Sequence, residues 1–481
     1  MTLKIYNSLS RKKEEFKSLL PNEVNIYICG VTVYDDAHIG HLRPAVVFDA
    51  FNNFFHRLGF AVRMVVNFTD IDDKIIARSM KEGRPWYEIS EEYIGKYLKD
   101  LANFDLKDVF ARPKASEHIE DMHNLISVLI DNNNAYQDKT GNVWFDVHSF
   151  REYGKLSNRT LEKLKDAEPT DCAEGEKKNP HDFCLWKAAK PDEPSFDSPY
   201  GKGRPGWHLE CSAMIHTLLG KTIDIHAGGL DLIFPHHENE IAQSEAANDQ
   251  PLANYWMHCG LVTMAGEKMA KSLGNIVTIQ ELLKKYSKNS LVHFFHSTHY
   301  RSPLEFSHKK MLASQKASKR MLALLANLEE YTGGIIPIDE RKKDTLFKAA
   351  RLEKIKQDLR ECIFDDFNFP KLLGLISRNL KSVYTKLSNE RRLSLPDHQF
   401  VTELVSVCKL YLKTLGFKLE QAESAVTEDS SSLLDLLIKI RNLSRQEKQF
   451  HISDKIRAGL KELGYSLEDT PVGTRWRKDD G

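Results

Sequence analysis

Long hydrophobic runs, paired cysteines and an apolar leader are all missing from this sequence of 481 residues. No stretch approaches the ~18 consecutive apolar residues that a membrane-spanning helix needs. The first residues, MTLKIYNSLSRKKEEF, contain no apolar core of a secretory signal. The seven cysteines form no CxxC pair, which argues against a disulfide scaffold and favours a reducing compartment. These absences predict a soluble, cytoplasmic protein.

Net charge is also missing, because 68 Lys and Arg residues balance 68 Asp and Glu residues. The balance hides an asymmetry. Residues 1–300 carry 35 basic and 42 acidic side chains, whereas residues 301–481 carry 33 and 26. A basic C-terminal third is typical of chains that bind a polyanion, although a solvated helical surface would show the same excess. The hydrophobic content of 41% is sufficient for folded cores and excludes a disordered chain.

Strand-like and helix-like segments alternate in the first part of the chain. Residues 24–35 are rich in β-branched and aromatic side chains and predict a strand. The next segment, LRPAVVFDAFNNFFHRLG, predicts a helix with Pro44 in its first turn and Gly59 at its C-terminal cap. A second strand is predicted in AVRMVVNFTD. This order predicts a parallel sheet with a nucleotide-sized crevice at the C-terminal ends of its strands.

The rest of the chain predicts a different organisation. Residues 151–206 are dense in Lys, Glu, Pro and Gly and predict a loop-rich insertion, after which strand signals resume. From about residue 311 onward, apolar residues recur at i, i+3 and i+4, which predicts helices. We therefore predict the α/β class, with a Rossmann-like parallel-sheet catalytic domain that carries an insertion. An all-helical C-terminal region would follow it.

Two motifs contain residues suited to phosphate chemistry. His38-Ile39-Gly40-His41 lies between the first strand and the helix, where unpaired backbone N–H groups and the helix dipole favour an anion. Gly40 would let the backbone approach a nucleotide closely. Lys268 and Lys271, in GEKMAKSLGN, could neutralise a departing pyrophosphate. Taken alone, each motif is also compatible with an ordinary surface turn.

The two motifs in this order, about 230 residues apart, are far more specific than either alone. With them the sequence resembles the class I aminoacyl-tRNA synthetases, with the HIGH motif intact and Ala270 at the central serine of KMSKS. Across nearly its whole length it resembles the cysteinyl-tRNA synthetase family. The matching stretches are YICGVTVYDDAHIGHLRP, NFTDIDDKI, DFCLWKAAK, GRPGWHLECSAM, DLIFPHHENEIAQS, GEKMAKSLGN and LEDTPVGTRWR.

This resemblance implies an activity and a set of roles. The chain would activate cysteine with ATP to cysteinyl-adenylate and transfer it to the 3′-terminal ribose of tRNA(Cys). The expected partners are therefore tRNA(Cys), ATP and L-cysteine, with Mg²⁺ accompanying ATP, no membrane, and a monomer as the working expectation. The resemblance assigns ATP binding to His38, Gly40, His41, Lys268 and Lys271, and catalysis to the two histidines and two lysines.

A third group of residues offers metal ligands. Cys29, Cys211 and the PHHENE segment (235–240) supply thiolate, imidazole and carboxylate groups, all of which bind zinc. Their spacing matches neither CxxC nor HExxH, so the residues alone favour buried free cysteines and an acidic helix turn. By resemblance, Cys29, Cys211, His236 and Glu240 match the family's zinc ligands, with one Zn²⁺ per chain. Such an ion would select cysteine over serine, because Zn²⁺ prefers a thiolate to a neutral hydroxyl.

Four further residues match positions that line the family's amino-acid site: Thr32, Thr69, Trp207 and Asp231. Trp207 would wall the side-chain pocket, and Asp231 would pair with the substrate ammonium group. Ordinary packing is an equal alternative for the two threonines. The neighbouring His208 and His226 are predicted to be structural histidines with satisfied hydrogen bonds.

An aromatic residue among cations lies near the C-terminal end. Trp476 stands between Arg475 and Arg477, a combination suited to stacking on an unpaired base and contacting its phosphates. By resemblance, this end of the chain would read the anticodon of tRNA. A frayed basic tail is the alternative interpretation.

The motifs and composition predict six segments. They are the first half of the Rossmann catalytic domain (1–118), a connective insertion (119–200), the second half (201–258), the KMAKS-loop and stem-contact region (259–310), a helical bundle (311–398) and an anticodon-binding region (399–481). Two alternative functions remain open at this point. One is a cysteine-activating ligase for a small amine acceptor, and the other is a degenerate, non-catalytic RNA-binding paralogue.

Overall fold

The computed structural model describes residues 2–160, 176–190, 193–264, 266–268, 276–335, 337–390, 392–419, 428–470 and 473–478. The chain divides into two compact units. The first comprises residues 1–315, 361–371 and 414–417, and the second comprises 316–360, 372–413 and 418–481. The six segments predicted from the sequence stay predictions. In the described part of the chain, every helix is too short or too polar to traverse a lipid bilayer.

Strands and helices are numbered separately in chain order. The strands are β1 (Lys4–Asn7), β2 (Lys12–Glu15), β3 (Glu23–Thr32), β4 (Ala61–Thr69), β5 (Ala135–Gln137), β6 (Val143–Phe145), β7 (Phe183–Ala188), β8 (Gly203–Pro205), β9 (Ile223–Gly229), β10 (Ala253–Cys259), β11 (Val262–Met264), β12 (Glu267–Lys268), β13 (Leu304–Phe306), β14 (Tyr465–Thr470) and β15 (Gly473–Lys478). The helices are α1 (Ile39–Arg57), α2 (Asp73–Glu82), α3 (Trp86–Ala102), α4 (Ile119–Asp131), α5 (Trp207–Leu219), α6 (Glu238–Asn248), α7 (Ile279–Lys285), α8 (Lys288–His296), α9 (His308–Glu330), α10 (Ala349–Phe364), α11 (Phe369–Leu387), α12 (Leu395–Thr414), α13 (Glu428–Gln446) and α14 (Phe450–Glu462).

The centre of the first unit is a parallel sheet of four strands in the order β10-β9-β3-β4. Residues 24–28 of β3 are all buried, as expected for a strand covered on both faces. Helix α1 connects β3 to β4, and Gly59 follows it with a positive φ of 93°, so the predicted strand–helix–strand unit is confirmed. The helix begins earlier than predicted, at Ile39, because His38 caps it. Pro44 therefore lies in the second turn and not in the first.

The insertion contains a second sheet, antiparallel, in the order β5-β6-β7-β8. Two of these strands, β7 and β8, lie within residues 151–206, which were predicted to be a loop-rich insertion with strand signals resuming only after it. Their apolar run is short and is flanked by Pro- and Gly-rich turns, which weakens any strand signal in the sequence. Its side chains are buried because β7 packs between β6 and β8.

The second unit is helical, as predicted, but the chain ends on a hairpin that was not expected. Strands β14 and β15 pair antiparallel, with Leu467 directly opposite Trp476. Leu467 belongs to a small apolar cluster with Leu434, Ile438 and Leu460, and Trp476 packs against that cluster. Strands of six residues next to long amphipathic helices carry little periodic signal, so the pairing became visible only in the structure.

Candidate active site

A cleft of about 370 Å³ lies at the C-terminal ends of the parallel strands, the position where α/β sheets bind ligands. Thr32, Gly229 and Cys259, the last residues of β3, β9 and β10, all line it. The first turn of α1 forms another wall. The cleft thus combines strand ends with a helix N-terminus, as the sequence predicted for a nucleotide site.

The two HIGH histidines hold the start of α1. The Nδ1 atom of His38 accepts a hydrogen bond from the Gly40 amide at 3.1 Å, and the Nδ1 atom of His41 accepts from the His38 amide at 3.4 Å. The two rings stack, with centroids 3.8 Å apart and planes inclined by 21°. All three residues line the cleft. The capping bonds therefore orient both imidazoles beside the positive end of the helix dipole.

The four predicted metal ligands lie close together. Cys29 Sγ lies 3.6 Å from Cys211 Sγ and 3.3 Å from Glu240 Oε1, and His236 Nε2 lies 3.0 Å from the same oxygen. One ligand atom from each of the four residues lies within 4.8 Å of all the others. Zinc–ligand bonds of about 2.0–2.3 Å need donor atoms at such mutual distances. The donor set, two sulfurs with one imidazole and one carboxylate, therefore fits Zn²⁺.

Local structure explains how Cys29 comes to face this point. The pairing of β3 with β4 shifts register between Ile28 and Val31, which is a β-bulge at Cys29 and Gly30. The Gly30 amide donates to Asn67 Oδ1 at 2.8 Å, and a Cβ atom on Gly30 would lie only 1.7 Å from the Asn67 carbonyl oxygen. Only glycine fits this close approach of the two strands, and the bulge re-aims the side chain before it.

The electrostatics of the cluster suit anionic metal ligands. Burial by itself would raise the pKa of Cys211, but hydrogen bonds from Cys29 and His236 lower it to about 6. Burial also opposes the charged form of Glu240, yet His226 and His236 hold the pKa of this carboxyl well below its usual range. The pKa of Cys29 is raised by burial and by the neighbouring Cys211. One thiolate and one carboxylate are thus favoured at neutral pH before any cation enters.

A shell of further histidines surrounds the four ligands. His226 Nε2 lies 2.7 Å from Glu240 Oε2, and His208 Nδ1 lies 3.1 Å from His236 Nδ1. The expectation that His208 and His226 are fully satisfied structural residues was wrong for His226, whose buried Nδ1 has no partner in the described structure. His237 Nε2 is likewise buried without a hydrogen-bond partner, although it lies 4.0 Å from Glu240 Oε1. Cys29, His226, His237 and Glu240 form a second possible ligand set at the same place.

Comparisons with known proteins identify the family of the chain. Residues 15–316 match the family model described as "tRNA synthetases class I (C) catalytic domain". A protein of Aquifex aeolicus named "Cysteine--tRNA ligase" is 43% identical over 100% of both chains. A protein of Thermococcus onnurineus with the same name is 39% identical over 99% of both chains. The chain belongs to the cysteine–tRNA ligase family.

Solved structures show the same fold at much lower identity. A Mycobacterium tuberculosis methionyl-tRNA synthetase in complex with methionyl-adenylate superposes with a TM-score of 0.64 at 14% identity, covering 87% of this chain and 94% of that one. A putative arginyl-tRNA synthetase from Campylobacter jejuni gives 0.58 at 13% identity, covering 84% and 95%. The α/β class with a class I synthetase core and a helical C-terminal region is therefore confirmed for this member of the cysteine–tRNA ligase family.

The structure places three of the four predicted amino-acid-site residues on the cleft. Thr32, Trp207 and Asp231 line it, and the Trp207 ring stacks on the His236 imidazole with centroids 4.4 Å apart. Thr69 is buried behind the wall, where its hydroxyl donates to Glu210 Oε2 at 3.0 Å. These assignments in a member of the cysteine–tRNA ligase family stay predictions.

The predicted lysines and C-terminal residues are only partly described. Lys268 ends β12, and its side chain lies outside the described structure, as do Ala270 and Lys271. Trp476, Arg475 and Arg477 lie on β15. The Trp476 indole is half-buried and its Nε1 donates to Asp435 Oδ1 at 3.2 Å, whereas the two arginine side chains are outside the described part.

Two residues that support the site, Glu210 and Arg43, were not predicted from the sequence. Glu210 is buried beside Cys211 and accepts a hydrogen bond from Thr69. Its position next to Cys211 in the sequence was the only indication that it lies near the site. Arg43 follows the HIGH motif by two residues, and its side chain is completely buried. A buried arginine has no distinguishing spacing, so only the fold could reveal its contacts.

Proposed function

We propose that the protein is a cysteine–tRNA ligase that activates L-cysteine with ATP and transfers it to tRNA(Cys). This proposal rests mainly on a cluster of two cysteines, a histidine and a glutamate. One of them, Cys29, lines a cleft that also contains the N-terminus of the HIGH helix. The relatives named cysteine–tRNA ligase align with the whole chain, which supports the same function here. Neither the small-amine ligase nor the non-catalytic paralogue has support among them.

In the first step, a carboxylate oxygen of cysteine attacks the α-phosphorus of ATP. A new P–O bond forms as the bond to the bridging oxygen breaks, which yields cysteinyl-adenylate and pyrophosphate. His38 and His41, oriented by their capping bonds, donate to the oxygens of the α-phosphate as negative charge develops. Lys268 and Lys271 neutralise the pyrophosphate, and Mg²⁺ accompanies ATP. Catalysis comes mainly from positioning and electrostatics.

Cysteine is selected at the metal centre. Cys29, Cys211, His236 and Glu240 would hold one Zn²⁺, which when bound supplies a soft Lewis acid that prefers a thiolate to a hydroxyl. Trp207 walls the side-chain pocket, while Asp231 accepts from the substrate ammonium group. Serine differs from cysteine by one atom and would be discriminated poorly by an apolar pocket alone.

In the second step, a hydroxyl of the terminal ribose of tRNA attacks the carbonyl carbon of the adenylate, and AMP leaves. Residues 399–481 would hold the anticodon, as the resemblance to the family implies. Trp476, Arg475 and Arg477 are the proposed contacts. We place this reaction in the cytoplasm, where the free thiols stay reduced.

Cysteine-dependent exchange of labelled pyrophosphate into ATP tests the first step, and charging of tRNA(Cys) tests the second. We expect exchange with cysteine, and exchange with serine lower by a factor of roughly 10⁴ or more because a hydroxyl cannot replace the bound thiolate. Exchange without charging of tRNA would favour the small-amine ligase. Tight binding of tRNA without exchange would favour the non-catalytic paralogue.

A further inference from the structure

The side chain of Arg43 joins the HIGH helix to two other turns of the first unit. It is 0% exposed, and burying a guanidinium is costly unless its donors are hydrogen-bonded. Both Nη groups are hydrogen-bonded, whereas Nε has no hydrogen-bond partner in the described structure. The acceptors are four backbone carbonyls: Nη1 donates to Gly260 at 2.6 Å and Leu261 at 3.2 Å, and Nη2 donates to Ser302 at 2.8 Å and His299 at 3.2 Å. We call Arg43 and these four carbonyls the arginine clamp.

The two turns that Arg43 joins, at residues 260–261 and 299–302, are in very close contact with each other. The Gly260 amide donates to the Tyr300 carbonyl at 2.7 Å. A Cβ atom on Gly260 would lie 2.3 Å from the Ser302 carbonyl oxygen, so no other residue fits without moving the turn. Gly260 and Leu261 also line the cleft, as do His38 and His41. Arg43 is therefore part of the helix that supplies the cleft's histidines, and it also binds the carbonyl groups of two other cleft residues.

The N-terminus of α1 also forms hydrogen bonds with residues that follow the lysine motif. The Ile39 amide donates to the Val277 carbonyl, and the Ile279 amide donates to the Ala37 carbonyl, both at 3.0 Å. The arginine clamp holds the chain at residues 260–261, just before β11 and β12. The segment that carries Lys268 therefore begins next to residues bonded to Arg43 of α1. It ends next to residues bonded to Ala37 and Ile39, at the HIGH turn.

From this arrangement we propose that Arg43 is a positioning residue for adenylate formation. The proposal rests on the proposed function. In it, Arg43 fixes the position of residues 260–261, and so of the start of the Lys268 segment, relative to His38 and His41. The guanidinium can do this because its planar fork reaches four oxygens on two turns at once. A lysine keeps the charge but offers a single ammonium group, which cannot bridge both turns.

The test is Arg43→Lys in the full chain, assayed by cysteine-dependent pyrophosphate exchange. We expect kcat to fall roughly tenfold to a hundredfold, because small misplacements of reacting groups are that costly. The KM for cysteine should stay within about twofold, since the amino-acid site is not held by this clamp. The zinc content per chain should also be unchanged.

A matched control is available in Arg63. Its Nη2 donates to a single carbonyl, that of Leu218 at 2.8 Å, and its guanidinium lies 4.4 Å from the centroid of the Phe110 ring. Arg63→Lys removes a similar arginine–carbonyl contact elsewhere in the first unit. It should leave kcat unchanged even if the midpoint of thermal unfolding drops.

A double substitution separates positioning from simple destabilisation. In a Lys268→Ala background, Arg43→Lys should cost clearly less activity than in the unsubstituted protein, because one of the groups it positions is already gone. A structural role alone predicts the same fold-loss in both backgrounds. If Arg43→Lys does not give folded protein, Gly260→Ala perturbs the same clamp from the other side, and the same non-additive loss is expected.

Each outcome has a definite meaning. Loss of kcat with an unchanged cysteine KM and non-additivity with Lys268→Ala supports the proposal. An unchanged kcat, or equal losses in both backgrounds, overturns the role of Arg43 and leaves the proposed function intact. Absence of exchange in the unsubstituted protein overturns the proposed function, and the role of Arg43 with it.

Discussion

The bond between His226 and Glu240 should control metal affinity. Both side chains are 0% exposed, and His226 Nε2 lies 2.7 Å from Glu240 Oε2. This bond occupies one carboxylate oxygen and leaves the other, Oε1, facing Cys29 and His236. His226→Phe removes the donor but keeps a ring against Trp256, on which the imidazole now stacks with centroids 4.4 Å apart.

The magnitude follows from what Glu240 loses. A charge-assisted hydrogen bond between buried groups is worth about 1.5–3 kcal/mol. Residues that orient a metal ligand in this way typically change affinity by about tenfold to a hundredfold, equivalent to roughly 1.4–2.8 kcal/mol. The two ranges agree. We therefore expect the Zn²⁺ dissociation constant of His226→Phe to rise by about one to two orders of magnitude.

Competition with a chromophoric chelator measures this constant directly. His296→Phe is the matched control, because His296 is also fully buried, contacts the Phe369 ring and makes one hydrogen bond, to the Leu415 carbonyl at 3.1 Å. The control variant should bind Zn²⁺ normally despite losing stability. Equal affinities in the two variants, or equal losses, would refute the idea that His226 orients Glu240.

Three other outcomes are expected. Cys211→Ser should deplete bound zinc, measured by metal analysis, and weaken cysteine binding more than ATP binding, because one sulfur ligand is lost; full zinc occupancy would contradict the ligand set. Lys271→Ala should slow adenylate formation about a hundredfold in single-turnover kinetics with little change in the dissociation constant of cysteine, and an unchanged rate would show that the loop is an ordinary basic turn. Deleting residues 418–481, which lie wholly in the second unit, should leave pyrophosphate exchange within about twofold and abolish charging of tRNA. Normal charging by the shortened chain would place anticodon recognition elsewhere.

Local patterns were enough to predict the strand–helix–strand unit, although the helix begins at Ile39, earlier than predicted. Periodicity and capping depend on neighbouring residues, so they are visible in the sequence. The strands of the insertion and the final hairpin were missed for the opposite reason. Each of these strands has three to six residues, and its stability comes from partners that the sequence does not place beside it.

The sequence by itself determined the class of fold and, through its motifs, the family. Only the tertiary structure decided which side chains meet. Cys29 lies in the bulge of β3, Cys211 lies in α5 and Glu240 lies in α6, yet their ligand atoms are within 4.8 Å of one another. No spacing rule predicts such a group, because its distances are set by how helices pack on a sheet. The arginine clamp has the same origin: its four acceptors are backbone carbonyls, which every residue type carries and which only folding can bring around one guanidinium.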